Sequence, residues 1–120
     1  MAQALAEYPD VLYFYDYPAA DTAAVITLTV RTGGRIWAIE DIVFGYDTAP
    51  AAAKELVISI GGTDVVKIPV TTEEGKRFIP VGGLKRAITE EVVITLAADT
   101  GGAKGYLFVQ VRPEFRGPPA

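Results

Sequence analysis

Acidic side chains have the most obvious capacity for chemistry in this chain, which contains no histidine and no cysteine. They occur as three neighbouring pairs, Glu40-Asp41, Glu73-Glu74 and Glu90-Glu91. A glycosidase needs two carboxylates across a cleft, whereas sequence neighbours in a strand point to opposite faces. We therefore interpret the pairs as solvated turn positions. A calcium site built from Asp41, Asp47 or Asp99 with loop carbonyls is the alternative, although no ligand spacing singles it out.

The missing residue types exclude several function classes. Without cysteine there can be no disulfide, thiolate metal site or thiol catalysis, and without histidine the commonest general base and transition-metal ligand are absent. Ser59, the sole serine, falls within a predicted strand and lacks the context of a nucleophile elbow. The glycine pairs precede no helix, so they are turns rather than phosphate-binding loops. We expect no enzymatic activity and no cofactor.

Tyrosines form the second group of residues with binding capacity. Tyr13, Tyr15 and Tyr17 alternate with Leu12, Phe14 and Asp16, so a strand would place the three tyrosines on one face. Aromatic side chains on such a face can fill a core, form the centre of a subunit interface or stack on sugars. All three interpretations remain open from the sequence.

Charge and composition restrict the kinds of partner that the chain is expected to bind. The net charge is -4 and the basic residues are scattered, which gives no footprint for nucleic acid. No apolar run reaches the roughly 18 residues of a membrane-spanning helix, and no secretory signal is visible. Asparagine is absent and the loops contain proline, a composition that indicates thermostability, although drift in a GC-rich genome could also produce it.

Alternating apolar residues predict a single all-β domain. We expect an N-terminal arm over 1–10, a β-sandwich domain over 11–112 and a C-terminal tail over 113–120. Regular turn signals separate eight predicted strands, at 11–17, 24–31, 35–46, 56–60, 65–70, 77–79, 91–97 and 106–112. Two long connections favour an antiparallel jelly roll of about eight strands over an immunoglobulin-like sandwich. We expect the second and third strands to form a hairpin through Thr32-Gly33-Gly34.

The third predicted strand contains Trp37, the only tryptophan, which we expect to be the core anchor. Large apolar residues change phase by one after Glu40-Asp41. A β-bulge there would keep both halves facing one core, because an inserted residue otherwise turns later side chains over. Two strands separated by a bend are the alternative.

The order of elements over 35–111 resembles that of head decoration (cement) proteins of tailed bacteriophages, some of them thermophilic. The resemblance is carried by W-A-I-E-D-I-V-F-G-Y-D-T-A-P, E-L-V-I-S-I-G-G, V-V-K-I-P-V-T-T-E-E-G, R-F-I-P-V-G-G-L and V-V-I-T-L-A-A-D-T-G-G-A-K-G-Y-L-F-V-Q-V. Family members commonly have a serine where this chain has Gly45.

This resemblance implies a jelly roll, a homotrimer on the capsid surface of the virion, the major capsid protein as partner and no catalytic residues. We expect the interface of such a trimer to use Tyr13, Tyr15 and Tyr17. A carbohydrate-binding module or a receptor-binding domain of a tail fibre is the alternative function.

Overall fold

The computed structural model describes residues 12–29, 35–73, 75–80 and 91–115, without the side chains of 35–37 and 113–115. The whole predicted arm (1–10), the end of the predicted tail and the side chain of Trp37 therefore lie outside the described residues. Within the described part of the chain there is no helix long and apolar enough to cross a membrane.

Eight antiparallel strands form the fold of the described residues, in line with the predicted number. They are β1 (Leu12–Asp16), β2 (Ala24–Leu28), β3 (Arg35–Tyr46), β4 (Lys54–Ile60), β5 (Thr63–Val70), β6 (Lys76–Phe78), β7 (Val92–Leu96) and β8 (Gly105–Phe115). Sheet A has the strand order β1-β8-β3-β6, and sheet B has the order β2-β7-β4-β5. The last strand continues past its predicted end at Arg112 and pairs Phe115 with Arg35.

The strand order is that of a jelly roll. A tight turn at Gly61 and Gly62, both with positive φ, joins β4 to β5 as a hairpin. Successively more distant strands then pair around it: β3 with β6, β2 with β7, and β1 with β8. A long hairpin rolled into two sheets gives this nesting, so the predicted jelly roll is confirmed.

The predicted hairpin between the second and third strands is wrong. β2 pairs with β7 in sheet B, while β3 pairs with β8 and β6 in sheet A. Glycines mark a reversal of the chain, but they do not determine whether the next strand pairs with the previous one or crosses to the facing sheet.

The predicted bulge in β3 is confirmed. Ile39 pairs with Val111 and Asp41 with Gln110, so Glu40 is the extra residue, and β3 is one continuous strand rather than two. Ile39 on one side of the bulge and Ile42 on the other are both buried. The inserted residue thus keeps both halves of the strand on the core.

Alternate residues of every long strand form the core between the sheets. β2, β7 and β8 follow the expected period of two, with inward residues buried and outward residues more exposed. Pro69 lies in β5, an edge strand of sheet B, as its missing N–H predicts. The largest fully buried side chains are Tyr46, Phe44, Ile26, Leu28, Ile39, Ile42, Leu56, Ile58, Ile94, Leu96, Leu107 and Val70.

Candidate functional site

The outer surface of sheet A carries a cluster of aromatic side chains, which we call the aromatic face: Tyr13, Tyr15, Tyr17, Tyr106 and Phe108. The first two come from β1, Tyr17 follows directly after it, and the last two come from β8. β1 and β8 are hydrogen-bonded neighbours, and their register sets Tyr15 opposite Phe108. Two stripes distant in sequence thus become one surface.

The predicted tyrosine stripe points to solvent. Tyr13, Tyr15 and Tyr17 are 37%, 51% and 53% exposed, whereas Leu12 and Phe14 on the other face of β1 pack against the core. The interpretation of this stripe as core is therefore wrong. The rings of Tyr15 and Phe108 stack with centroids 5.9 Å apart and planes inclined by 23°. Phe108 is itself 45% exposed, so the contact does not cover the face.

Tyr106 lies across the sheet over two glycines. A Cβ atom on Gly45 would come within 2.6 Å of the Tyr106 hydroxyl oxygen and 2.9 Å of its Cζ atom. A Cβ on Gly75 would also come within 2.6 Å of that oxygen. Real Cβ atoms essentially never approach so closely, so both positions must lack a side chain for the ring to lie there.

A bidentate ion pair borders the aromatic face on the β3 and β6 side. Arg77 Nε donates to both carboxylate oxygens of Asp41 at 2.9 Å, and Nη2 donates to Oδ2 at 2.6 Å. This hydrogen bonding and the charge of Asp41 raise the pKa of Arg77 above its ordinary value. Both contacts involve one edge of the guanidinium, so its flat surface stays accessible on a side chain that is 64% exposed.

The bulge in β3 supplies a second polar group beside the face. Glu40 accepts hydrogen bonds from Gln110 Nε2 at 3.0 Å and from Arg112 Nε at 2.9 Å. At the opposite end, Lys104 Nζ lies 5.8 Å from the centre of the Tyr17 ring, within the range of a cation–π contact. Charged groups of both signs therefore surround an aromatic centre. The sequence suggested that the pair Glu40-Asp41 is solvated in a turn. In the structure both side chains lie in β3 and make these contacts instead.

The acids of the calcium alternative are used separately. Asp41 pairs with Arg77, and Asp47 accepts the Lys104 N–H at 2.7 Å. Among the described residues no group of three or more acidic side chains is arranged to hold a metal ion.

Asp99, the third of these acids, organises loops at one end of the sandwich. It is buried and accepts the N–H of Ala51 at 2.8 Å and those of Gly101 and Ala103 at 3.1 Å. These bonds, that from Ala51 above all, lower the pKa of Asp99 to about 2 against the opposing effect of burial. The carboxylate thus fixes two loops to each other.

Tyr46 is a buried core residue at the same end of the sandwich as Asp99. Its hydroxyl donates to the carbonyl of Ala97 at 2.5 Å. Burial, and then the charge of Asp99, raise the pKa of Tyr46 to about 12. The hydroxyl therefore stays protonated at neutral pH, as a hydrogen-bond donor in a structural role requires.

The sequence predicted three of the five residues of the aromatic face, Tyr13, Tyr15 and Tyr17. Tyr106 and Phe108 were not predicted to belong to it. The alternation of β8 puts Tyr106, Phe108 and Gln110 opposite the buried Leu107 and Val109, and this signal was available. Ser59 donates a hydrogen bond to Asp64 at 2.6 Å.

Comparison with known proteins yields likeness of fold only. No family model matches the chain, and no curated protein matches its sequence. The CBM36-1 domain of a multidomain xylanase from the hindgut metagenome of Trinervitermes trinervoides is 12% identical over 82% of this chain and 75% of its own, with a TM-score of 0.43. Carbohydrate-binding module CBM36 in complex with calcium and xylotriose is 16% identical over 84% and 79%, with a TM-score of 0.41.

A viral protein has a similar degree of likeness. The coat protein dimer of Tobacco streak virus is 11% identical over 97% of this chain and 94% of its own, with a TM-score of 0.41. Values this low transfer no ligand, partner or activity to the present chain. Function must therefore be argued from the aromatic face and the sequence.

Proposed function

We propose that this chain is a non-enzymatic structural protein that self-associates through the aromatic face and decorates the capsid surface of a tailed bacteriophage. The aromatic face, with Tyr15 and Tyr17 more than half exposed, is the observation that carries the proposal. A contiguous aromatic surface on a rigid sheet is unusual for a monomer, whereas tyrosine and arginine are enriched at the centres of interfaces.

The composition of the chain supports a role without catalysis. Histidine and cysteine are absent, and Asp41, Asp47 and Asp99 accept hydrogen bonds from arginine or from backbone N–H groups. The resemblance over 35–111 supplies the finer part of the proposal: a virion location and a major capsid protein as partner. It also implies a homotrimer, which is one outcome of the mass measurement described below. The arm over 1–10 is then the segment proposed to reach a neighbouring subunit or the capsid.

Co-sedimentation tests this function. The purified chain is added to heads of the phage whose genome encodes it, after removal of the native copies. We expect saturable, stoichiometric binding. Tyr15→Ala on the aromatic face is compared with Val25→Ala, which removes an exposed apolar side chain from sheet B. Absence of binding by the unaltered chain would contradict the proposal.

A carbohydrate-binding module is the second candidate, and the position of Tyr106 favours it. The hydroxyl end of Tyr106 lies over Gly45 and Gly75 on the outer surface of sheet A, and a partly exposed tyrosine ring is a group on which a pyranose can stack. Isothermal titration with soluble polysaccharides separates the two functions. Saturable sugar binding that is lost in Tyr106→Ala, together with no affinity for phage heads, would replace the capsid proposal with this one.

A further inference from the structure

The two halves of the outer surface of sheet A differ in height. On the β1 and β8 half, Tyr13, Tyr15 and Phe108 project into solvent. The β3 and β6 half is low at Gly45 and Gly75, which carry no side chain and lie beneath the hydroxyl end of Tyr106. At these two glycines the surface therefore has a step that runs along the strands.

The pairing register of the four strands of sheet A determines which outward-facing residues lie in one row across the sheet. One row across the sheet reads Tyr15, Phe108, Val43 and Arg77, from one edge strand to the other. The next row pairs Tyr13 with Gln110 and Gln110 with Asp41. Each row thus begins with a projecting tyrosine, and the Arg77–Asp41 pair lies across both rows at the low side.

A two-fold axis parallel to the strands makes this surface complementary to itself. If two copies face each other across such an axis, β1 of one lies over β6 of the other, β8 lies over β3, and every row is preserved. Tyr15 then meets Arg77 of the second copy, Phe108 meets Val43, and Gln110 meets Asp41. Strands of the two sheets run nearly aligned, which is a common packing of sheets.

The perpendicular axis gives a poorer fit. It would place each strand over its own copy. With the axis through the row of Tyr15, Tyr15 would meet Tyr15 and the guanidinium of Arg77 would meet another guanidinium. Projecting side chains would collide and like charges would face each other. Shape and charge therefore both select the axis parallel to the strands.

We infer that the aromatic face is covered by a second copy of this chain, in a two-fold dimer in which Tyr15 of each subunit stacks on the Arg77 guanidinium of the other. This inference rests on self-association in the proposed function and replaces the trimer with an isologous pair. Asp41 fixes the guanidinium through hydrogen bonds and balances its charge, so the ring stacks on an already ordered, planar cation.

Light scattering coupled to size exclusion tests the stoichiometry. We expect the full chain to have twice its 12.8 kDa mass over a wide concentration range. Tyr15→Arg puts like charges in contact and should give a monomer. Val25→Arg, at an exposed site on sheet B, is the matched control and should remain a dimer. Circular dichroism verifies that each variant is folded, as exposed positions should allow.

The arrangement is tested by exchanging the two residues within one chain. Tyr15→Arg combined with Arg77→Tyr restores a stacked pair only if position 15 of one copy faces position 77 of the other. We expect the double variant to recover the dimer mass.

The outcomes separate this inference from the proposed function. A monomeric or trimeric mass for the unaltered chain, or a double variant that stays monomeric, overturns the two-fold dimer. A trimer that binds phage heads would leave the proposed function intact. A dimer that fails to bind them would instead retain the inference and contradict capsid decoration.

Discussion

Gly45→Ala should destabilise the protein through one identifiable contact. The added methyl carbon would lie 2.6 Å from the Tyr106 hydroxyl oxygen, 2.9 Å from its Cζ and 3.1 Å from the Cα of Gly75. Either the Tyr106 ring must leave the sheet or the backbone of the β3–β6 pair must shift. Both changes also disturb the aromatic face.

The expected cost follows from two opposing effects. Overpacking costs about 1–3 kcal/mol, while replacing glycine with alanine stabilises by about 0.4–1 kcal/mol through the unfolded chain where the conformation permits it. Gly45 has no positive φ, so this gain applies. The free energy of unfolding should fall by about 0.5–2 kcal/mol, and the melting temperature by about 3–6 °C for each kcal/mol at this size.

Urea denaturation in three backgrounds assigns the effect to Tyr106. In Tyr106→Phe, the hydroxyl is gone but the ring carbon still meets the new methyl group, so Gly45→Ala should remain destabilising. In Tyr106→Ala, the same substitution should cost at least about 1 kcal/mol less, because both ring contacts are removed. An equal cost in Tyr106→Ala would refute this account of the glycine.

Gly75→Ala is the matched control. Its Cβ would meet the Tyr106 hydroxyl oxygen at 2.6 Å but the ring carbon only at 3.8 Å. Removal of the Tyr106 hydroxyl should therefore be enough to relieve the clash with the added methyl group. Gly75→Ala should be destabilising in the unaltered chain and neutral or stabilising in Tyr106→Phe.

Three further predictions concern the core, acid stability and metals. Trp37→Ala should lower the free energy of unfolding by about 3–5 kcal/mol, and a native tryptophan emission typical of water would argue against a buried anchor. The pKa of Asp99 is lowered to about 2 in the folded protein, whereas that of an aspartate in the unfolded chain is about 3.9. The stabilisation that the Asp99 carboxylate contributes should therefore be complete above about pH 3.9 and decline as the pH falls toward 2. Asp99→Asn should flatten this dependence in urea midpoints measured from pH 7 to pH 2. Elemental analysis of untagged protein should find no stoichiometric zinc or iron.

The sequence alone determined the strands and most of their faces. Period-two alternation depends only on neighbouring residues, so Ile26, Leu28, Ile94 and Leu96 could be assigned to the core without knowledge of the partner strands. The bulge at Glu40 was visible for the same reason, since a phase shift is a local feature. Eight strands separated by turn residues then restricted the fold to a few sandwich topologies.

Only the tertiary structure decided which strands are neighbours and which surface is exposed. Both faces of β1 are apolar, so periodicity could not determine that the tyrosines point outward; packing of Leu12 and Phe14 against the core settled it. Arg77 binds Asp41, which lies 36 positions away in the sequence. Tyr106 lies over Gly45 of β3 and over Gly75, which precedes β6. Such contacts depend on strand pairing between distant segments. The local preferences of a sequence do not encode that pairing. For the same reason the sequence predicted a β2–β3 hairpin that does not form.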